Sequence, residues 1–280
     1  MSVWFVTGAS RGFGLEIARE ALSRGHDVVA TARDAAAVTA ALPDAGDHLL
    51  AVPLDVTDEA QARAAAQAAV ERFGRIDVLI NNAGRGLLGA VEEAGDAEVR
   101  AVYETNVFGL LTVTRAVTPV LRAQRSGTIV NISSVGGFVS SPGWGVYAST
   151  KFAVEALSEA LHAELKPLGV HAMVVEPGYF RTDFLDSSSL HTQQHVIDDY
   201  ADGPAGQMRI TAGERNHDQP GDPVKAANAI IDVVESEQPP VRLQLGRDTI
   251  AAVEAKIAHV QAELAQWRAV AESTDHDDVA

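Results

Sequence analysis

The chain has 280 residues, 46% of them apolar and 21% charged, an ordinary globular composition with enough length to bury a sizeable core. The absence of cysteine excludes disulfides, thiolate chemistry and cysteine-based metal sites, and it suits the cytosol. A formal net charge of −16 repels a phosphate backbone and argues against nucleic acid as a partner, so an anionic ligand has to be held by local donors against the overall field.

The opening MSVWFVTGAS carries no basic leader and no long apolar run, so no secretory signal is expected. No window approaches the roughly 18 uninterrupted apolar residues of a membrane helix, and a cytoplasmic location with no membrane partner is expected. Short β-branched runs then alternate with alanine-rich helical patterns. Strands are expected near 3–6, 27–32, 49–54, 76–80, 128–133, 170–176 and 242–246. Helices are expected near 13–24, 58–73, 97–125, 144–167 and 223–236. Continuous apolar strands separated by helices predict an α/β, Rossmann-like, doubly wound seven-stranded parallel sheet covered on both faces, with ligands at the carboxyl ends of the strands. The whole of 1–280 reads as one domain.

Two regions break the rhythm. Residues 184–222 are polar, and they read either as a lid over substrate or as a mobile connection. The tail 249–272 places Val253, Ile257, Val260, Leu264 and Trp267 at 4-3-4-3 spacing, a helical seam that either packs back on its own domain or meets another subunit. Residues 273–280 read as frayed and disordered. The nine histidines are scattered without metal-ligand spacing, and no metal is expected.

Directly after the first strand comes Thr7-Gly8-Ala9-Ser10-Arg11-Gly12-Phe13-Gly14, within which a helix pattern starts. Glycines at a strand-to-helix turn let the backbone approach a pyrophosphate, and the helix N-terminus supplies free N–H groups and a favourable dipole. The spacing is Gly-x3-Gly-x-Gly rather than the common Gly-x-Gly-x-x-Gly, but its place in a strand–helix–strand unit points to a dinucleotide. The second strand ends in Ala32 and Arg33 where an NAD site normally carries an acid. Arg33 and Arg11 are therefore read as a two-sided clamp on a 2′-phosphate, which favours NADP over NAD; the competing reading pairs Arg33 with its neighbour Asp34.

Only four tyrosines and four lysines occur in the chain, yet VYASTK places Tyr147 and Lys151 one helical turn apart, on one face. A free phenol has a pKa near 10 and is a poor acid–base group at neutral pH. An ammonium about 4 Å away contributes roughly 4 kcal/mol at an effective dielectric of about 20, enough to lower the phenol by about three pK units before desolvation opposes it. The fifth strand ends in Asn131-Ile132-Ser133-Ser134, which turns a hydroxyl toward the same crevice. Asn81-Asn82-Ala83-Gly84 closes the fourth strand, and Asn106 sits mid-helix, where asparagine is a mediocre helix former and suggests a polar structural role.

Taken together, TGASRGFG, LDVTD with Asp55 and Val56, NNAG with Asn82, Ala83 and Gly84, TNVFG with Asn106, ISS with Ser134, YASTK, and PGYFRT with Pro177, Gly178 and Thr182 follow in order over residues 3 to about 183. This pattern resembles the short-chain dehydrogenase/reductase family, of the compact one-domain type. The resemblance implies a catalytic tetrad of Asn106, Ser134, Tyr147 and Lys151, with Ser134 chosen over Ser133 because it stands thirteen residues before the tyrosine. It implies that Asp55 bonds the adenine, that Thr182 seats the nicotinamide carboxamide, and that the chain forms a homodimer or homotetramer. It also implies the chemistry: hydride delivered to a carbonyl carbon, Ser134 holding the oxygen, Tyr147 giving the proton, Lys151 holding the ribose and Asn106 anchoring a water of the relay. The substrate wall is expected from Val135–Trp144, Tyr179, Phe180 and parts of 184–222, with Phe138, Trp144 and Phe180 suggesting an apolar ketone or aldehyde. The alternatives are an NAD-dependent alcohol dehydrogenase of the same fold and a silent dinucleotide-sensing regulator.

Overall fold

The computed structural model describes residues 1–193 and 195–276. The chain begins with a fully buried strand, β1 (Val3–Thr7). Helix α1 (Gly12–Ser23) follows, then β2 (Asp27–Ala32), a short α2 (Ala35–Ala41), β3 (Leu49–Pro53), α3 (Glu59–Phe73) and β4 (Val78–Asn81). A three-residue strand β5 (Gly86–Leu88) precedes α4 (Asp96–Tyr103), which runs through a π-helical turn at Glu104–Gly109 into α5 (Leu110–Gln124). Next come β6 (Gly127–Ile132), α6 (Gly145–Leu165), β7 (Val170–Pro177), β8 (Leu190–Thr192), α7 (Asp198–Ala201), α8 (Pro204–Arg215), α9 (Pro223–Val234), β9 (Arg242–Leu245) and α10 (Arg247–Glu272).

Seven strands form one sheet in the order β3-β2-β1-β4-β6-β7-β9, and every pairing is parallel. All seven expected strands are present. The alternation of side chains along them decides which helices cover which face. Trp4, Val6, Val28, Ala30 and Ile80 pack with Ile17 and Ala21 of α1 and Ile230 and Ile231 of α9. Phe5, Val29, Leu79 and Ile129 pack with Ala65 of α3, and Val113, Val117 and Leu121 of α5. Helix starts are set locally: Asp58 accepts from the N–H groups of Ala60 and Gln61 at 2.8 and 3.0 Å, and Asp222 from those of Val224 and Lys225 at 2.9 and 3.3 Å. Strand order reverses between β1 and β4, and a crevice opens there at the carboxyl ends.

The helical pattern over 97–125 is two helices broken at Asn106, because the π turn there releases the regular ladder. Helix α2 lies where no element was expected, and α8 lies in the segment read as a lid or a mobile connection. α2 is short, and α8 buries little beyond Ala205, Gly206 and Ala212, so neither has an apolar stripe to betray it. Within 184–222 the chain is pinned instead by long-range contacts. β8 pairs with β5 in a separate two-stranded parallel sheet, and buried Glu93 accepts from the Ile197 N–H at 3.0 Å and forms an ion pair with Arg209. The tail helix α10 does not pack back on its own domain beyond its base: Val253 is buried, whereas Ile257, Val260, Leu264 and Trp267 are exposed. Residues 273–276 follow it as a short turn, and 277–280 of the segment expected to be disordered lie outside the described residues.

Candidate active site

The crevice holds a cavity of about 650 Å³ running from the glycine loop to the start of α6. At one end, Gly8 and Gly12 have φ of +65° and +57°, left-handed values that a side chain adopts only with strain. Gly14 is excluded from any larger residue for another reason: a Cβ there would collide with the Gly8 carbonyl and the Asn82 amide. That amide fixes the loop by donating to the carbonyls of Thr7 and Gly8 at 2.9 and 3.1 Å. No side chain caps the N-terminus of α1, so its first N–H groups are left to face a ligand.

Gly8, Arg11, Gly12, Phe13, Arg33, Asp55, Val56, Asn82, Ala83, Gly84, Pro177, Gly178 and Thr182, all expected at the cofactor, line the cavity. Ser10 and Gly14 lie outside its lining, Gly14 in the packed turn just described. The two arginines of the expected clamp have different partners. Arg11 donates to the Ser188 hydroxyl at 2.7 Å, the Ser188 carbonyl at 3.1 Å and the Ser189 hydroxyl at 2.8 Å, tying the glycine loop to residues 188–189. Arg33 is exposed at the rim, and among the described residues no carboxylate pairs with it. Asp34, its supposed competitor, instead caps α2 through the Ala36 N–H at 3.0 Å. A different cation accompanies Arg33: Arg85, which also lines the cavity and is held below its ordinary range by burial and by the Arg33 charge.

At the other end, α6 presents Tyr147 and Lys151 from one face, both buried. Ser134 is a hydrogen-bond neighbour of the phenol. The adjacent Ser133 turns the other way, toward the Glu155 carboxylate. The Tyr147 ring is wedged between Trp144 and Phe184, each with its ring centroid 5.6 Å away. This packing overturns the electrostatic expectation. Burial pushes the phenol above its ordinary value of 10, with the Ser134 hydrogen bond opposing and Tyr179 adding to the rise. The Lys151 ammonium sits 5.8 Å from the ring centroid and donates to the Ile132 carbonyl at 2.9 Å. Burial lowers it to about 8, against the raising influence of Glu155 one turn further along α6. Desolvation is the largest influence on both groups, and the ammonium's hydrogen bond goes to a carbonyl rather than to the phenol.

Asn106 is buried at the π turn and is absent from the cavity lining. Its amide hydrogens go to the Arg85 carbonyl at 2.9 Å and the Thr150 hydroxyl at 3.0 Å, and its carbonyl accepts from the Arg85 N–H at 2.9 Å. It thereby fastens the loop after β4 to α6.

The residues expected as the substrate wall divide between the cavity and its surroundings. Val135, Val139, Trp144, Tyr179 and Phe180 face the cavity. Phe138 does not; its ring lies under the Arg242 guanidinium, 5.7 Å from the centroid. Phe184, Leu185 and His191, from the segment read as a lid or a mobile connection, complete the wall. Arg85 and Asp248 were missed. Arg85 directly follows the NNAG motif and was within reach of a longer motif reading. Asp248 accepts from the Tyr179 N–H at 2.9 Å across a separation of 69 residues, and no local signal marks it.

A family model described as short chain dehydrogenase matches residues 2–193. The chain is 38% identical to oxidoreductase BOA17 of Botryotinia fuckeliana, with 89% of this chain and 90% of that protein covered. It is 37% identical to a 3-ketodihydrosphingosine reductase of Bacteroides thetaiotaomicron, with 86% of each covered. Among solved structures, a short-chain dehydrogenase from Streptomyces avermitilis superposes with a TM-score of 0.89 at 41% identity, covering 98% of this chain and 100% of that one. Two structures at 25% identity carry dinucleotides. One is a Burkholderia phymatum family member in complex with NAD (TM-score 0.82, 94% and 95% covered). The other is ElxO with NADP bound (TM-score 0.74, 89% and 99% covered). With the parallel sheet, the glycine turn and the Ser134–Tyr147–Lys151 cluster in one crevice, these matches identify the chain as an oxidoreductase of the short-chain dehydrogenase family.

Proposed function

We propose that the protein is an NADP(H)-dependent oxidoreductase that interconverts an apolar ketone or aldehyde and the corresponding alcohol, with residues 1–280 acting as one cofactor-binding and catalytic unit. The observation that carries this reading is the convergence of Ser134, Tyr147 and Lys151 on the same cavity into which the uncapped N-terminus of α1 opens. That N-terminus and the glycine cradle suit a pyrophosphate, and the dinucleotide, when bound, supplies the hydride. Arg33 with Arg85 suits a 2′-phosphate, since the end of β2 offers no acid for a ribose diol. The NAD complex of a 25% identical relative keeps NAD as the competing reading.

In the reductive direction, Ser134 donates to the substrate oxygen and Tyr147 delivers its proton as negative charge develops there. The raised phenol is a strong holder of that proton, so the transfer depends on Lys151 staying charged to stabilise the phenolate left behind. With its pKa near 8, Lys151 is mostly protonated at neutral pH and can return a proton to the phenolate. Asn106 acts as a positioning residue. Both its amide hydrogens are engaged, so a relay water in this reading is held by its main chain. Trp144, Phe184 and Leu185 around the phenol favour an apolar carbonyl substrate, and the reductase name of the 37% identical relative agrees with the reductive direction.

The test is a panel of apolar carbonyls and alcohols with both dinucleotides, alongside Tyr147→Phe. Turnover with NADPH, lost in the variant while NADPH fluorescence titration stays the same, is the expected result. Tighter binding of NADH would overturn the cofactor assignment. Equal inactivity of both proteins across the panel would favour a dinucleotide sensor.

A further inference from the structure

Helix α10 extends well past the body that anchors it. Its base is fixed by Asp248 beneath Tyr179, by the Thr249 hydroxyl on the Leu245 carbonyl at 2.9 Å, and by buried Val253. From Ile257 to Glu272 every residue is exposed. At 1.5 Å per residue, that is about 24 Å of helix with no cover among the described residues. Isolated helices of this length are marginal in water, because most helical stability comes from packing an apolar face.

The apolar face is present and follows a particular period. Ile250, Val253, Ile257, Val260, Leu264, Trp267 and Ala271 are spaced 3-4-3-4-3-4, a strict period of 3.5 residues. Packing on a globular core calls for a broader stripe, whereas this narrow one is the seam of a two-helix coil. Ile250, Ile257, Val260, Leu264 and Trp267 are 42% to 58% exposed, so the seam is unpartnered. The outward face is largely alanine: Ala251, Ala255, Ala258, Ala262, Ala265 and Ala269.

The residues flanking the seam indicate what covers it. When two copies of α10 lie antiparallel with Gln261 facing Gln261, Glu254 of each falls opposite Arg268 of the other. On the opposite edge Glu263 of each copy lies about one turn from both Lys256 and Glu263 of the other, so the Glu254–Arg268 match carries the charge argument. A parallel pairing retains only the match between Glu263 and Arg268. The helix as a whole balances Arg247, Lys256 and Arg268 against Asp248, Glu254, Glu263 and Glu272, close to neutral in a chain of charge −16. Two copies can therefore approach here despite their overall repulsion. The same balance lacks the basic face with which amphipathic helices hold anionic lipid.

We propose that α10 pairs with α10 of a second copy of this chain as an antiparallel, two-fold-symmetric coiled coil. Six apolar side chains per copy, one of them tryptophan, bury on the order of 1,000 Å² in total, the lower edge of a specific interface. The dimer is therefore expected to be concentration-dependent.

Because the chain has no cysteine, single thiols can read the pairing in the full-length protein. With a short bis-maleimide, Gln261→Cys should give a covalent dimer. Glu254→Cys should not link to itself but should link to Arg268→Cys when the two are mixed. In sedimentation equilibrium, Leu264→Glu combined with Trp267→Glu should weaken the dimer at least 100-fold. Ala262→Glu, on the outward face, should leave it within about threefold of the parent, with circular dichroism confirming that each variant is folded. Self-linking of Glu254→Cys, or no linking of Gln261→Cys, would overturn the antiparallel pairing. A chain that stays monomeric but loses binding to neutral or anionic vesicles on Leu264→Glu would assign the seam to a lipid surface instead.

Discussion

Glu155 lies one helical turn beyond Lys151 and faces Ser133, Glu176 and Arg242, so its replacement by glutamine probes the electrostatics behind the site. Burial raises its carboxyl from the ordinary 4.5 to about 7; the nearby Ser133 hydroxyl and the ion pair with Arg242 oppose the rise, and Glu176 adds to it. At about 1.4 kcal/mol per pH unit, that climb corresponds to about 3 kcal/mol. The sign follows from proton counting. Between pH 4.5 and 7 the folded chain holds this proton and the unfolded chain has released it, so stability falls as pH rises through that window. Glutamine cannot ionise, and Arg242 keeps Glu176 at 3.0 Å and its ion pair with Glu159. Urea unfolding at pH 5 and pH 7.5 should therefore show a loss of stability smaller by about 2–3 kcal/mol in Glu155→Gln than in the parent, at unchanged m. Turnover supplies a second reading. The Glu155 charge raises Lys151, so its removal should move the alkaline limb of kcat/KM below the parent's pH of about 8. Parallel stability slopes together with a stationary limb would show that Glu155 is not coupled to the lysine, and the account of the buried pair would fail.

Arg33→Ala should raise the Kd for NADPH by about 10- to 100-fold, the worth of a charged hydrogen bond of about 1.5–3 kcal/mol, and leave NADH within a factor of two; fluorescence titration checks it, and equal losses for both would refute the 2′-phosphate assignment. Asn106→Ala strands the Arg85 N–H and carbonyl, while the Thr150 hydroxyl keeps its bond to the Tyr147 carbonyl, so it should destabilise the fold by about 1–3 kcal/mol in denaturant titration and lower kcat more than it raises KM. Phe184→Ala removes one wall of the phenol's pocket and should raise KM for an apolar ketone by about 10-fold or more, while the Kd for NADPH stays within a factor of two.

The parts of the site that were legible in the sequence are those whose physics is local. The glycine turn is visible because Gly8 and Gly12 need left-handed backbone, and Tyr147 with Lys151 because four residues make one helical turn. The seven strands announce themselves as apolar runs because both faces of a parallel sheet are covered. What escaped was set by distant partners. Arg11 was read as a phosphate ligand from its place in the loop; its ties to Ser188 and Ser189, 177 and 178 residues along the chain, left no local signal. Phe138 was read as pocket because it lies in the segment after β6, but Arg242 draws its ring to the other side. The segment 184–222 looked unstructured because it is anchored by β8 against β5 and by Glu93 with Arg209, contacts that leave no period in the sequence.

The misjudged phenol is the most instructive of these cases. Spacing reveals that an ammonium is near a phenol, and Coulomb's law then predicts a more acidic phenol. It does not reveal that Trp144 and Phe184 close over the ring, or that the ammonium is held by the Ile132 carbonyl. Once both groups are dry, each is driven toward its neutral form, the phenol upward and the amine down to about 8. In the reaction proposed above, the pair would then work as a proton donor backed by a near-neutral reservoir rather than as a standing phenolate. That arrangement suits reduction, where a proton must leave the enzyme for the substrate oxygen. It also explains why the charge on Lys151, and through it Glu155, should govern the pH at which the reaction fails.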